Sequence, residues 1–126
     1  MHLLVNIVLI AATPVADVDD AFGRCLEGER ARSGEFPAIL ECYTAAYEQE
    51  DRRLNAVYRR ALSRVSTARR RQVVEDQRRW IKARDERCRG VAMADGDVDT
   101  QDGRLAELSC LSEETDLQAN RLLRKR

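Results

Sequence analysis

The sequence has few of the residues that β-rich folds and most catalytic sites require. The 126-residue chain contains one His, two Pro, six Gly and only 5% aromatic residues. Strands and tight turns use aromatic residues, Gly and Pro heavily, so an all-β sandwich is not expected. The only histidine, His2, cannot supply a Ser-His-Asp or Cys-His arrangement to the rest of the chain. No glycine-rich phosphate loop occurs. We therefore predict a protein that is not an enzyme and has no cofactor.

The chain also has no net charge. Its 22 basic and 22 acidic residues balance at pH 7, so no excess of positive charge is available to neutralise phosphates. A general nucleic-acid binder is therefore not expected. With 44% hydrophobic residues the chain is too apolar to be disordered. Its length allows one domain, and the composition favours a small helical one.

No apolar run in the sequence is long enough to span a bilayer, which takes about 20 residues. Residues 3–12 are apolar except for Asn6, and small residues follow up to Ala16. This pattern predicts a signal peptide over residues 1–16 and a mature domain over residues 17–126. No Lys or Arg precedes the apolar run. A buried N-terminal helix is the alternative interpretation.

The cysteines support export. An even number of cysteines in a short exported chain predicts two disulfides, and the four are Cys25, Cys42, Cys88 and Cys110. No Cys-x-x-Cys pair occurs, which argues against a zinc site. Arg24 directly precedes Cys25, where a lipoprotein signal requires a small residue. We expect a periplasmic or secreted protein that is not lipidated.

Apolar residues recur at helical spacing along most of the chain. The clearest stripe consists of Leu40, Tyr43, Tyr47, Leu54, Tyr58, Ala61 and Val65. Such intervals of three, four and seven residues are typical of an amphipathic helix. We predict helices over about 17–32, 37–65, 66–89 and 105–122, with a polar loop over 90–103. Pro37 fits the first turn of the second helix, Ser66 or Thr67 can cap the third, and Gly90 is expected to end it. The predicted fold is an all-α antiparallel bundle of three to four helices.

The bundle topology places the cysteines near one end. In an up-down arrangement Cys42, Cys88 and Cys110 lie at the same pole, and Cys25 can reach it from the first helix. We predict nearest-neighbour pairing of Cys25 with Cys42 and of Cys88 with Cys110. Closing a loop of about 15 residues stabilises a fold by about 3 kcal/mol. Crossed pairing remains open, since all four sulfurs could lie close together.

Two spaced motifs carry a resemblance to a known family. One is a cysteine leading into Asp-x-x-Leu-Asn-x-x-Tyr, and the other is Gln-x-x-Trp-x-x-x-Arg-Asp-x-x-Cys, followed by a further Cys and a Thr. The residues concerned are Cys42, Tyr47, Asp51, Leu54, Asn55, Tyr58, Gln77, Trp80, Arg84, Asp85, Cys88, Cys110 and Thr115. From Cys25 to about Leu122 the chain resembles the LprI-type lysozyme-inhibitor domain. Gln118 departs from the pattern, because the family usually has Arg there. The resemblance implies a small exported α-helical domain, of which some members bind and inhibit lysozyme.

Five of the motif residues are expected to form a polar network between helices. Asp51 and Arg84 stand within apolar stripes, where an unpaired charge would be costly. We predict that both lie in one network with Asn55 and Gln77, beside the core residue Trp80. The favoured interpretation is that the network fixes helix register. A ligand site is the alternative.

Acidic residues alternate in the predicted loop, at Asp95, Asp97, Asp99 and Asp102. Alternating acids are typical of calcium loops, but the sixth position here is Thr100 instead of Gly and the twelfth is Ala106 instead of Glu. We therefore predict a solvated acidic loop and no metal site.

The balanced charge is unevenly distributed. Residues 52–89 hold 14 basic and 4 acidic residues, a net of +10, whereas residues 1–51 hold 3 and 10, a net of −7, and residues 90–126 hold 5 and 8, a net of −3. The expected basic pole, around the turn between the second and third helices, contains Arg52, Arg53, Arg59, Arg60, Arg64, Arg69, Arg70, Arg71, Arg78 and Arg79. The opposite, acidic pole holds the cysteines, Glu35, Glu41 and the acidic loop.

Two functions follow from the two poles. The first is an exported binding protein that engages lysozyme or a related cationic glycan hydrolase, with Glu41, Asp95, Asp97, Asp99 and Asp102 as the interface. The second is an envelope-associated protein whose basic pole contacts anionic surface polymers or lipid head groups.

Overall fold

Helices make up nearly all of the part of the chain that the computed structural model describes, residues 18–125. In order they are α1 (Val18–Leu26), α2 (Glu29–Arg32), α3 (Phe36–Arg64), α4 (Thr67–Ala94) and α5 (Gln101–Arg124), with no strand in this range. The predicted all-α fold is confirmed. None of the described helices is both long and apolar enough to cross a membrane. The predicted signal peptide, residues 1–16, lies outside the described residues.

A tight turn joins α3 and α4 into an antiparallel hairpin. Pro37 stands in the first turn of α3, where its missing N–H leaves no helical hydrogen bond unmade. After Arg64, Val65 and Ser66 adopt extended backbone angles and reverse the chain. The Ser66 hydroxyl accepts a hydrogen bond from the Arg69 N–H at 3.4 Å, so the predicted cap of α4 is confirmed.

The last helix, α5, packs against both members of the hairpin. It runs antiparallel to α4, because Cys110 is bonded to Cys88 while Gln118 is hydrogen-bonded to Gln77. It runs parallel to α3, since the cysteine end of α5 adjoins the start of α3 and Asn120 is hydrogen-bonded to Arg53 near the other end. The buried residues at the centre are mostly small, which permits close approach of the helices. They are Ala38, Cys42, Leu54, Cys88, Ala92, Leu108, Thr115 and Ala119.

Both predicted disulfides are present, each between nearest neighbours along the chain. Cys25 is bonded to Cys42, which attaches α1 to α3, and Cys88 is bonded to Cys110, which joins α4 to α5. Beside the first disulfide, the rings of Phe22 and Tyr43 meet edge to face at 4.9 Å. The two bonds lie at the same end of the bundle, as the up-down topology predicts.

Two predicted helix boundaries were wrong. Gly90 does not end α4, which continues to Ala94, so the loop between α4 and α5 covers only residues 95–100. An exposed glycine inside a helix costs about 1 kcal/mol, and burial of Cys88 and Ala92 on either side of Gly90 holds the helix together. The predicted first helix, 17–32, is divided into α1 and α2 at Gly28, whose extended backbone angles interrupt it.

Candidate functional site

The loop between α4 and α5 is fixed by its own backbone and side-chain hydrogen bonds. Asp97 has a positive φ of 107°, its N–H donates to the Ala92 carbonyl at 2.9 Å, and its carboxylate accepts from the Val98 N–H at 2.6 Å. The Thr100 hydroxyl donates to the Asp97 carbonyl at 2.8 Å and accepts from the Gly103 N–H at 3.0 Å. This pair of bonds caps α5 and ties the loop to its first turn.

Gly103 is required where the loop crosses α5. A Cβ atom at this buried position would lie 1.7 Å from the carbonyl oxygen of Asp97, far inside van der Waals contact. Only glycine therefore permits the loop backbone to rest on the helix. The sequence analysis missed this residue, although a Gly three positions after a capping Thr in the first turn of a helix was a usable signal.

All five predicted interface residues are exposed, and two of them line a cleft. The exposed residues are Glu41, Asp95, Asp97, Asp99 and Asp102. Asp95 and Asp102 border a cleft of about 400 Å³ whose walls include Tyr43 and Ser109. Within residues 18–125, no group of three or more His, Cys, Asp or Glu side chains is arranged to hold a metal ion.

A second cleft, of about 290 Å³, continues the first one along the groove between α3 and α5. The two share Tyr43 and Ser109, and Phe22 of α1 forms part of the wall of the second. Three further acids line it: Glu50, Glu113 and Asp116. We call the combined groove the acidic cleft. These three acids were not predicted from the sequence, although Glu113 and Asp116 are spaced to lie on one side of a helix.

Arg53 is the cation of the acidic cleft, although we had predicted it at the basic pole. Its Nη1 lies 3.0 Å from Asp116 Oδ1 and 3.7 Å from Glu50 Oε2, and its Nη2 donates to Asn120 at 2.6 Å. The guanidinium is thereby oriented from α3 towards α5. Five carboxylates line the acidic cleft, and this one guanidinium offsets part of their charge, so the groove is strongly negative.

Other charges expected at the two poles are also held in local ion pairs. Glu35 accepts a hydrogen bond from Arg30 Nε at 2.7 Å, so its charge is paired with that of Arg30. Arg79 pairs with Asp76, and its hydrogen bond is the main reason that the pKa of the Asp76 carboxyl is lowered. The two poles are therefore somewhat less charged than the sequence alone suggested.

Arg84 is buried between two aromatic rings. Only 7% of the residue is exposed, and its guanidinium carbon lies 5.1 Å from the Trp80 ring centre and 5.7 Å from that of Tyr47. Its Nε and Nη2 donate to Asp85 Oδ1 at 3.0 and 2.9 Å, and its Nη1 donates to the buried Thr115 hydroxyl at 3.2 Å. Cation–π contacts and charged hydrogen bonds thus satisfy this buried cation.

The hydrogen bonds divide the predicted polar network into separate groups. Asn55 donates to Asp51 at 3.4 Å, and Gln118 donates to Gln77 at 3.0 Å. The ion-pair partner of Arg84 is Asp85, its neighbour in the sequence, and not Asp51. None of the five predicted network residues borders the acidic cleft. Their role in fixing helix register stays a prediction.

Tyr47 lies near both Arg84 and Asp51, and the charges of both residues affect the pKa of its phenol. Burial raises the pKa of its phenol, the nearby Arg84 guanidinium opposes that rise, and the Asp51 carboxylate adds to it. The neutral phenol is favoured because burial disfavours the charged form.

Comparison with known proteins identifies one family. The family model described as "Lysozyme inhibitor LprI" matches residues 28–122, which is most of the chain. No curated protein and no solved structure gives a match. The matched range contains both spaced motifs and the acidic loop, and it begins after α1.

Proposed function

The chain belongs to the LprI lysozyme-inhibitor family, and from that premise we propose that it is an exported binding protein that engages a cationic glycan hydrolase of the lysozyme type. The proposed contact surface is the acidic cleft together with the exposed acids Glu41, Asp97 and Asp99. The observation that carries the proposal is the groove between α3 and α5, which is lined by five carboxylates, two of which pair with the guanidinium of Arg53. A cationic enzyme surface is complementary to it.

Electrostatic steering is the expected role of the loop acids. Charges at the rim of an interface mainly raise the rate of association, because they act before contact is made. Their effect falls off over about 8 Å at physiological salt. The loop carries Asp95 and Asp99 at the surface, with Asp102 just inside α5. Its anchoring on Gly103 keeps these charges in one arrangement before the partner arrives.

The interior of the acidic cleft is suited to cationic side chains. Tyr43 is shared by both parts of the cleft, and Phe22 meets its ring edge to face. An aromatic face beside carboxylates attracts a Lys or Arg both through the ring and through charge pairing. We infer that Tyr43 is the central contact and that the surrounding acids select for positive charge.

A lysozyme-lysis assay with matched variants tests the proposal. The variant Asp95→Asn/Asp99→Asn/Asp102→Asn is expected to bind about tenfold more weakly, since each exposed pair contributes about 0.2–1 kcal/mol. The loss should lie in the association rate and shrink at high salt. The proposal fails if excess unmodified protein leaves lysis by a panel of purified lysozymes unchanged.

A control variant removes the same charge elsewhere. Glu48, Glu75 and Glu86 are exposed on α3 and α4 and do not line the acidic cleft. Replacing all three by Gln should leave inhibition within about twofold of the unmodified protein, since such exposed charges lie away from the interface. Equal losses in the two variants would show that overall charge, and not the loop, determines binding.

We also propose that residues 1–16 are removed on export. The two disulfides support this, because such bonds form and persist in oxidising compartments. Mass spectrometry of the exported protein should give a chain that begins at Asp17. An intact N-terminus on a protein with reduced thiols would refute the proposal.

A further inference from the structure

The end of the bundle opposite the α4–α5 loop is covered by cations from three helices. Nine exposed basic residues lie there, at the end of α3, the start of α4 and the end of α5. They are Arg59, Arg60, Arg64, Arg69, Arg70, Arg71, Arg121, Arg124 and Lys125. Within residues 18–125, none of the nine forms an ion pair with a carboxylate. We call this surface the cationic end.

Acidic residues are missing from the segments that build the cationic end. The sequence has no Asp or Glu between residues 52 and 74, and none after Asp116. The first acids on α4 are Glu75 and Asp76. Asp76 accepts hydrogen bonds from Arg79 and Gln72, and the charge of Lys125 also helps to lower the pKa of its carboxyl. The nine cations therefore outnumber the acids near them, and this surface is positive although the whole chain is neutral.

The two charged ends are too far apart to neutralise each other. The 29 residues of α3 run from one end to the other, a distance of about 40 Å at 1.5 Å per residue. Charges at physiological salt are screened over about 8 Å. The loop acids therefore do not repel an anionic surface that meets the cationic end. Asp116, the cleft acid nearest to this end, lies about 12 Å from Arg124 along α5 and is paired with Arg53.

The shape of the cationic end favours a flat partner. It is formed by the ends of three helices and the two-residue turn of Val65 and Ser66, and neither part of the acidic cleft reaches it. Leu123, half exposed, stands among the cations, where an apolar side chain can enter the head-group region. Arginine guanidinium groups bind phosphate oxygens in a bidentate manner.

We propose that the cationic end binds the surface of an anionic phospholipid bilayer. The protein then stands end-on, with the α4–α5 loop about 40 Å from the lipid and the acidic cleft on the side of the bundle between α3 and α5. This inference is independent of the proposed function, because it concerns different residues and a different partner. Its consequence is a fixed orientation in which the cleft stays accessible to a soluble protein.

Co-sedimentation of the full disulfide-bonded chain with lipid vesicles tests the proposal. The protein should bind vesicles of phosphatidylglycerol and phosphatidylcholine, bind them more weakly as salt is raised, and not bind pure phosphatidylcholine vesicles. The variant Arg69→Gln/Arg71→Gln/Arg124→Gln should bind the mixed vesicles about a hundredfold more weakly, at about fivefold per cation. These side chains make no hydrogen bond or ion pair within residues 18–125, so the variant is expected to fold.

A control variant of equal charge change separates the cationic end from net charge. Arg78, Lys82 and Arg89 are exposed on α4 and lie about 10 Å or more beyond Arg71 along the helix. Replacing all three by Gln should change vesicle binding by less than about fivefold, because they lie beyond the screening length. Equal losses in both triple variants, or no binding of the unmodified protein, would overturn the proposal.

Hydrogen exchange in the presence of vesicles reports the orientation. Exchange of the backbone amides of residues 64–71 should slow, while that of residues 95–100 should be unchanged. Protection of the acidic loop would overturn end-on binding. Binding of duplex DNA at the same salt, as tight as that of the mixed vesicles, would point to a nucleic-acid partner and overturn the lipid assignment. Lysozyme inhibition by the Arg69→Gln/Arg71→Gln/Arg124→Gln variant should be unaltered, which keeps the two proposals separable.

Discussion

Replacing Arg84 by Met is expected to lower the free energy of unfolding by about 3 kcal/mol. Met keeps most of the apolar contact with Trp80 and Tyr47 but removes two cation–π interactions, each about 0.5–2 kcal/mol. The buried Thr115 hydroxyl loses its donor, at about 1 kcal/mol. The Asp85 side chain is 50% exposed, so water replaces its lost partner and the ion pair adds less than about 1 kcal/mol.

Urea and thermal unfolding, followed by circular dichroism with the disulfides intact, measure this change. For a domain of this size, 3 kcal/mol corresponds to a fall in Tm of roughly 12 °C. The pKa of Tyr47 provides a local check, because the Arg84 charge opposes its rise. Titration of the phenol by ultraviolet absorbance should show a pKa higher than in the unmodified protein.

The matched variant is Asp85→Asn, which removes the ion-pair partner and leaves the aromatic contacts of Arg84 in place. It should cost less than about 1 kcal/mol. The reasoning is refuted if Arg84→Met falls within about 1 kcal/mol of the unmodified protein. It is also refuted if Asp85→Asn is equally destabilising, because the ion pair and not the rings would then hold the arginine.

Two further predictions concern glycines and pH. Gly103→Ala places a methyl group against a loop carbonyl and should lower the free energy of unfolding by about 1–3 kcal/mol. Gly90→Ala adds a carbon with nothing within 4 Å of it and should raise the free energy of unfolding by about 0.5–1 kcal/mol. Thermal unfolding measures both changes, and changes of the same sign would contradict the close contact of the loop with Gly103. The folded-state pKa of Tyr47 is raised above the usual 10.0, so the unfolded chain loses this proton first and stability should fall as pH rises above 10. Tyr47→Phe should flatten that part of the pH profile of unfolding, and an unchanged slope would show that another group is responsible.

The sequence predicted the main architecture because its strongest signals are local. Helical spacing placed α3 to within a residue or two, Ser66 marked the start of α4, and bundle topology placed the cysteines at one end, where the predicted nearest-neighbour pairing is confirmed. The resemblance to the LprI family is confirmed by the family match. The end of α4 was wrong because the glycine penalty at Gly90 is small and burial of Ala92 against the bundle outweighs it. Local propensity cannot include that tertiary contribution.

Only the part of the candidate site that lies on one continuous segment, the α4–α5 loop, was predicted from the sequence. The acids of the α4–α5 loop are close in sequence and were found from composition alone. Glu50 and Asp116 were missed because they meet only through the parallel packing of α3 on α5, which depends on three-dimensional register. The Thr115 hydroxyl on α5 was missed for the same reason as a partner of the buried Arg84. The long side chain of Arg84 lies between two rings and from there reaches Asp85.

The attachment of α1 has an evolutionary consequence. This helix lies before the region that the family model matches, and its disulfide to α3 joins Cys25 to Cys42. Its residue Phe22 nevertheless forms part of the wall of the acidic cleft. Substitutions in α1 can therefore change the wall of the acidic cleft while α3, α4 and α5 keep their packing. If the acidic cleft binds the proposed partner, α1 is a segment in which selection can change the cleft without loss of the fold.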